Sequence, residues 1–120
     1  MNAKRYLKSE EIQLIEALIK FAGDEWCFLK TDLNKTFVAD MQDGEMGSLL
    51  FHPEKRERRS LGQVIAEAEY HDADGTLVSV TLNLDEDAQL FELDSWKVDF
   101  SKLQRIADLK DINFKKPGCH

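Results

Sequence analysis

Residues 76–84 constrain the fold of this chain more than any other segment. Apolar and polar side chains alternate strictly through it: Val78, Val80, Leu82 and Leu84 against Ser79, Thr81 and Asn83. Successive side chains of a β-strand point to opposite faces, so this period of two predicts a strand with one buried face and one wet face. Such a strand is typical of an antiparallel sheet that is covered on one side only.

Further alternating runs and turn signals surround this segment. Asp43-Gly44 predicts a hairpin between two strands, and the polar residues 72–75 and 85–89 predict turns on either side of the central strand. We therefore expect about five strands in meander order, at about residues 36–41, 47–52, 63–70, 76–84 and 90–100.

A helix is predicted before the first of these strands. Ser9, Glu10 and Glu11 indicate its start, because a serine oxygen can cap free amides and acids are stabilised at the positive end of the helix dipole. Gly23 suits its end. An apolar stripe at helical spacing lies between them, formed by Ile12, Ile15, Leu18 and Ile19. We predict an α+β fold in which this amphipathic helix, about residues 10–22, packs on one face of the sheet.

The last predicted strand changes phase midway. The apolar residues in its first half have odd residue numbers, Phe91 and Leu93. Those in its second half have even residue numbers, Trp96, Val98 and Phe100. One extra residue would keep both sets on one face, so we predict a β-bulge at Asp94 and Ser95. Trp96 is then interpreted as a core residue in preference to an interface residue, and Lys97 and Asp99 point outward.

At 120 residues the chain has the size of one domain. The segment from Lys102 has apolar residues at helical spacing but no good cap, which predicts a short helical turn or a loop packed on the core. Residues 53–59 are polar and predict an exposed loop. We expect a C-terminal tail from about residue 113, with a loose end at residues 115–120.

The first residues lead into Glu10 and Glu11 and not into an apolar run, so no signal peptide is predicted. No stretch approaches the roughly 18–20 apolar residues of a membrane span. Cys27 and Cys119 form no disulfide framework. We expect a reducing, bacterial-type cytoplasm.

Metal ligation and cofactor binding are not predicted. The candidate ligands lack the spacing of a zinc site: His52, His71, His120, Cys27 and Cys119. Residues 72–75 lack the remaining acids of a calcium loop. No catalytic residue is predicted either, because Ser48 has no local base. A small hydrolase would need a concave site near Asp40, Asp43, Ser48 and residues 92–94.

The formal net charge of −7 is unevenly distributed. Residues 1–60 contain 10 Lys and Arg against 11 Asp and Glu, whereas residues 61–120 contain 6 against 12. Between residues 61 and 101 the only cation is Lys97. Such a region repels nucleic acid and anionic lipid and attracts a basic protein. We predict a partner-binding surface on the polar side of the sheet and its adjoining turn: Glu67, Glu69, Asp85, Glu86, Asp87, Glu92, Asp94 and Asp99.

Three segments carry a resemblance, residues 38–49, 82–85 and 90–101. They resemble a family of small uncharacterised bacterial proteins, a domain of unknown function, with Asp-Gly-x-Met-Gly-Ser in the first half and Glu-Leu-Asp-x-Trp-Lys-Val-Asp-Phe-Ser in the last strand. The likeness spans about residues 5 to 105 and implies no activity.

The second motif is also similar, more loosely, to the closing strand of toxin-immunity proteins. This resemblance implies a small cytoplasmic protein that neutralises a basic toxin from a neighbouring cell. The main alternative is a structural or regulatory protein, such as a homodimer joined through a sheet edge. The oligomeric state and the role of residues 46–48 stay open at this point.

Overall fold

The computed structural model describes residues 3–55 and 59–118. They form one α-helix, α1 (Ser9–Ala22), short 3₁₀ helices at Asp24–Lys30, Leu33–Lys35 and Leu109–Asp111, and seven strands. The strands are β1 (Arg5–Tyr6), β2 (Phe37–Asp40), β3 (Leu49–Phe51), β4 (Leu61–His71), β5 (Leu77–Asp85), β6 (Leu90–Lys97) and β7 (Asn113–Lys115). One antiparallel sheet contains all seven, in the order β1-β2-β3-β6-β5-β4-β7. The prediction of a mixed α+β fold with an antiparallel sheet is confirmed.

The sheet is larger than the predicted five strands because each edge gains a short strand. β1 pairs with β2 through Arg5 and Tyr6, and β7 pairs with β4 where Lys115 lies opposite Glu67. Two or three residues are too few to show a period of two. The predicted tail from residue 113 is therefore wrong at residues 113–115, which complete the sheet.

The predicted meander order is also wrong. The hairpins β2–β3, β4–β5 and β5–β6 form as expected, but β3 pairs with β6, where Leu49 lies opposite Leu93. The chain leaves β3, passes β6 and β5, and enters the sheet again as β4. Residues 52–60 make this connection, and of these the structure does not describe residues 56–58.

Arg59 holds the connection at one end of the sheet. Its Nε donates to Asp85 Oδ2 at 3.0 Å, Nη1 donates to the carbonyl oxygen of Phe51 at 2.7 Å, and Nη2 donates to the carbonyl oxygen of Leu90 at 2.6 Å. The guanidinium thus joins the end of β3 to the β5–β6 hairpin, a task that its rigid fork of donors suits. The predicted exposed loop is wrong at Arg59, whose side chain is 11% exposed.

Helix α1 covers the inner face of the sheet as predicted. Ser9 is its first residue and not its cap; instead the amide of Lys8 donates to Glu11 Oε1 at 2.8 Å. Gly23 ends the helix at a φ of 133°, which favours glycine. The helix buries Leu14, Ile15, Leu18 and Ile19 in one core with the sheet residues Val38, Phe51, Val78, Val80, Leu82, Leu84 and Leu93.

The phase of β6 differs from the prediction. Its pairing with β5 is regular from Lys97, opposite Val78, to Leu93, opposite Leu82. The irregularity lies at Phe91, because Asn83 pairs with Glu92 whereas Leu84 pairs with Leu90. The predicted bulge at Asp94 and Ser95 is therefore wrong, and the extra residue lies nearer the start of the strand.

This shift reverses the predicted sides of the second half of β6. Lys97, predicted to point outward, is completely buried. The predicted core residues Trp96, Val98 and Phe100 are instead 48%, 39% and 69% exposed. Because β5 places Val78 and Val80 inward, their partners on β6 must also face inward, whatever their polarity.

Candidate protein-binding face

The side of the sheet opposite α1 is called the open face. Residues that lie directly opposite each other in a ladder share a face. One row of the open face is Glu67, Thr81 and Asp94, and the next is Glu69, Ser79 and Trp96. The sequence predicted that the acids Glu67, Glu69 and Asp94 lie on the polar side of the sheet, but it did not predict Trp96 there.

A trough of about 360 Å³ runs along this face. Ser79 and Thr81 lie on β5, and their short side chains leave space beside Asp94 and Trp96 of β6. The loop between β2 and β3 adds Met46, whose sulfur accepts the amide of Lys97 at 3.4 Å. The trough is lined by Asp43, Met46, Ser48, Ser79, Thr81, Asp94, Ser95 and Trp96.

An apolar strip of Trp96, Val98 and Phe100 adjoins the trough. The rings of Trp96 and Phe100 are tilted, with centroids 6.0 Å apart. Phe100 has a φ of 62°, a left-handed conformation that is strained for a bulky residue, and its amide donates to the carbonyl oxygen of Lys97 at 2.8 Å. The fold thus holds a large aromatic side chain in solvent at a conformational cost, an arrangement found at functional sites.

Two of the eight predicted partner-binding acids have a cation within the fold. Asp85 is 6% exposed and ion-paired with Arg59. Burial would raise the pKa of Asp85, but hydrogen bonds from the Gln89 amide, Arg59 and the Asp87 amide lower it below its ordinary value. Glu69 forms an ion pair with Lys115 on β7.

The other six acids have no ion pair among the described residues. They are Glu67, Glu86, Asp87, Glu92, Asp94 and Asp99. Glu67 accepts the amide of Gly118 at 3.2 Å, and Asp99 accepts the amide and hydroxyl of Ser101. Asp94 is exposed and makes no hydrogen bond within the described chain. Burial, followed by the nearby charge of Asp94, raises the pKa of Glu92.

These acids do not form a single cluster. Glu67, Glu92 and Asp94 share the open face, whereas Glu86 and Asp87 lie on the β5–β6 turn and Asp99 lies beyond the opposite end of β6. An eight-residue strand spans roughly 25 Å. The geometry therefore brings together only the acids in the middle of the predicted surface.

A buried cluster around Lys97 was not predicted. Its Nζ lies 2.9 Å from Asp72 Oδ2 and 2.7 Å from Asp74 Oδ2, and it donates to the carbonyl oxygen of Lys102 at 3.1 Å. The hydrogen bond to Asp74, then that to Asp72, raises the pKa of Lys97 although burial opposes this. The only cation between residues 61 and 101 is thus turned away from the open face.

Asp72 connects this cluster to the segment after β6. Its carboxylate accepts the amides of Gln104 at 2.8 Å, Arg105 at 3.0 Å and Ala73 at 2.7 Å. Burial would raise the pKa of Asp72, but these hydrogen bonds and the one from Lys97 lower it to about 2. The cluster therefore binds residues 102–105 to the β4–β5 turn.

A second cavity, of about 350 Å³, lies near the start of α1 and is lined by three of the residues proposed for a hydrolase, Asp40, Asp43 and Ser48, but not by residues 92–94. Arg5 lies between Glu11 and Asp40, at 2.9 Å from each, and lowers the pKa of Asp40. Asp43 accepts the amides of Met46 and Ser48. The Ser48 hydroxyl donates to the carbonyl oxygen of Ser95 and accepts its amide. These bonds give the turn at residues 46–48 a structural role.

The candidate metal ligands are dispersed. Within residues 3–55 and 59–118, no three His, Cys, Asp or Glu side chains are placed to hold a metal ion. Cys27 is exposed as a free thiol, and Cys119 and His120 lie outside the described residues. No helix in this part of the chain has the length and apolarity to cross a membrane.

Comparison with known proteins identifies the family of this chain. Residues 4–107 match a domain of unknown function, DUF6984. The chain belongs to this family. The DUF6984 match includes β1 to β6 and the whole trough, and ends before β7. No curated protein and no solved structure matches the chain.

Proposed function

We propose that this chain is a small cytoplasmic protein-binding domain that neutralises a basic bacterial toxin, as an immunity protein does. The observation that carries the proposal is the exposed Trp96 and Phe100 beside Asp94, a carboxylate without a cation among the described residues. Exposed aromatic residues are typical anchors of protein interfaces. The loose similarity of the last strand to immunity proteins supports the same function.

The charge of the open face supports a cationic partner. The middle of this face has the carboxylates of Glu67, Glu92 and Asp94, while Lys97 is buried on the other side of the same strand. Complementary charge speeds encounter and suppresses wrong partners, and the aromatic side chains supply affinity once they are covered. The turn acids Glu86 and Asp87 extend the negative potential along the sheet.

The test is whether a gene beside this one encodes a basic toxic domain and whether the chain protects cells from that domain. Cells that produce this domain should survive when they also produce the chain, and the purified proteins should bind less tightly as the salt concentration rises. Asp94→Lys should weaken binding by at least tenfold. The matched control is Glu16→Lys, which makes the same charge change at an exposed position of α1. Failure to protect, or equal effects of the two variants, would reject the proposal.

The homo-oligomer alternative predicts a different result. If the apolar strip were buried between copies of the chain, size-exclusion chromatography with light scattering would give twice the 13.8 kDa monomer mass. Trp96→Ala would then return the protein to a monomer. A monomer at tens of micromolar favours the binding of another protein.

The hydrolase alternative has one observation in its favour, since the cavity near α1 contains Asp40, Asp43 and Ser48. Its chemistry is less favourable. The described lining has no histidine or cysteine, and the Ser48 hydroxyl is bound to the backbone of Ser95. Nucleophilic catalysis would need a base within hydrogen-bond reach of that hydroxyl.

A further inference from the structure

The trough has an asymmetric set of binding groups. The acids of the neighbouring strand β4 do not line it; Glu69 is ion-paired with Lys115, and Glu67 accepts a backbone amide. On the loop side, both carboxylate oxygens of Asp43 accept backbone amides. Asp94 is therefore the lining carboxylate that is left for a ligand.

The aromatic wall lies beside this carboxylate. Trp96 is two residues from Asp94 on the same face of β6, so the two side chains are about 7 Å apart along the strand. Trp96 is 48% exposed, and the adjacent side chains of Ser79 and Thr81 are short. The site thus combines an indole, a carboxylate and room for a flat group between them.

The row next to Thr81 and Asp94 has a further acid but does not line the trough. In the row beyond Thr81 and Asp94, Asn83 lies opposite Glu92. Asn83 is 3% exposed, and its Oδ1 has no hydrogen-bond partner among the described residues. This buried oxygen is out of reach of a ligand, so the acceptors of this end of the open face are the carboxylates of Glu92 and Asp94, which a ligand rich in N–H donors complements.

We infer that the trough is a binding site for an arginine side chain of the partner, with its guanidinium stacked on Trp96 and paired with Asp94. This inference rests on the proposed binding of a basic protein and names the group that is recognised. A guanidinium is planar, weakly hydrated and able to bond a carboxylate with two parallel N–H donors. An ammonium has the charge but not the flat surface, so lysine fits the combination of Trp96 and Asp94 less well.

The experiment uses the whole chain with Trp26→Phe, which leaves Trp96 as the single tryptophan. The probe is the peptide acetyl-Gly-Arg-Gly-Arg-Gly-amide, titrated at low salt while Trp96 fluorescence is recorded. Peptides with citrulline or lysine in place of arginine serve as ligand controls. Citrulline keeps the shape of the side chain but has no charge, and lysine keeps the charge without the plane.

We expect saturable quenching by the arginine peptide and binding at least tenfold weaker for citrulline and severalfold weaker for lysine. Asp94→Asn should weaken the arginine peptide about tenfold, whereas Glu16→Gln, which removes the same single negative charge at an exposed position of α1, should leave it unchanged. Equal effects of the two variants, or equal binding of arginine and citrulline, would overturn the inference. If the basic toxin bound normally while the arginine peptide did not, this inference would fail and the proposed function would stand.

Discussion

Two sets of carboxylates lie on opposite sides of β6 and behave differently. On the inner side, Asp72 and Asp74 surround the buried ammonium of Lys97, and the pKa of each carboxyl is lowered. On the open face, Asp94 has no cation among the described residues and its charge helps to raise the pKa of Glu92. Both inner acids contact a cation, whereas on the open face Glu69 is the one acid with a cation among the described residues. Compensation by partners, and not the density of acids, separates the structural cluster from the proposed binding surface.

The largest expected effect is at the inner set. Asp72→Ala removes the acceptor of three backbone amides and leaves Lys97 with one carboxylate. Breaking a buried charge pair is strongly destabilising, so we expect the Tm to fall by on the order of 10 °C or more. Differential scanning calorimetry measures this, with the exposed Asp87→Ala as control. A Tm equal to that of the control would show that the cluster does not hold the fold.

The inner set also predicts how the free energy of unfolding changes at acid pH. Because the pKa of Asp72 is about 2 in the folded protein against 3.8 ordinarily, its ionised form stabilises the fold above about pH 4. This contribution is lost as the pH falls from about 4 to about 2. Urea unfolding between pH 2 and 6 should therefore show a shallower pH dependence for Asp72→Asn than for the wild type. Parallel curves would contradict the compensation of Asp72.

The open face predicts a shift of the opposite sign. A raised pKa of Glu92 means that its contribution to stability is present at acid pH and is lost as the pH rises through the folded pKa. Asp94→Asn should lower the pKa of Glu92, because it removes the neighbouring negative charge. Side-chain NMR titration detects this change. Asp87→Asn should leave the Glu92 titration where it is; if both variants moved it equally, the coupling would not be local.

The smallest expected effect is on the stability of Trp96→Ala. Since Trp96 is half exposed, we expect a loss of less than about 1 kcal/mol of unfolding free energy, whereas a core tryptophan would cost about 3–5 kcal/mol. Leu93→Ala, on the inner side of the same strand, is the contrasting control and should cost about 2–5 kcal/mol. Chemical denaturation measures both. Equal losses would place Trp96 in the core after all.

Much of the fold was predictable where a single element carries its own pattern. The stripe from Ile12 to Ile19 gave the helix, and the alternation of residues 76–84 gave β5 with its inner face. β1 and β7 could not be predicted, because such short strands exist only as additions to the edges of longer neighbours. The strand order could not be predicted either, because the pairing of β3 with β6 and the hydrogen bonds of Arg59 join residues that are distant in the chain and have no local signature.

The candidate site divides in the same way. The sequence indicated an acidic open face, since Glu67 on β4 and Glu92 and Asp94 on β6 alternate with residues that face the core. It could not show that Glu69 and Asp85 are compensated, because Lys115 and Arg59 lie 46 and 26 positions away in the chain. The sequence pattern also predicted that Trp96 points inward, because Trp96, Val98 and Phe100 alternate with polar residues as the inner side of a strand does.

The sequence alone determined that the chain would form a helix on an antiparallel sheet and that its acids would concentrate in the second half. These properties follow from short-range periodicity and composition. Only the tertiary structure decided which side of β6 is buried. Pairing with β5 fixes the register of β6, and Asp72 and Asp74 compensate the charge of the lysine that this register buries. That choice turns Lys97 into the centre of a structural cluster and leaves Trp96 beside Asp94 on the surface, where we propose that a partner binds.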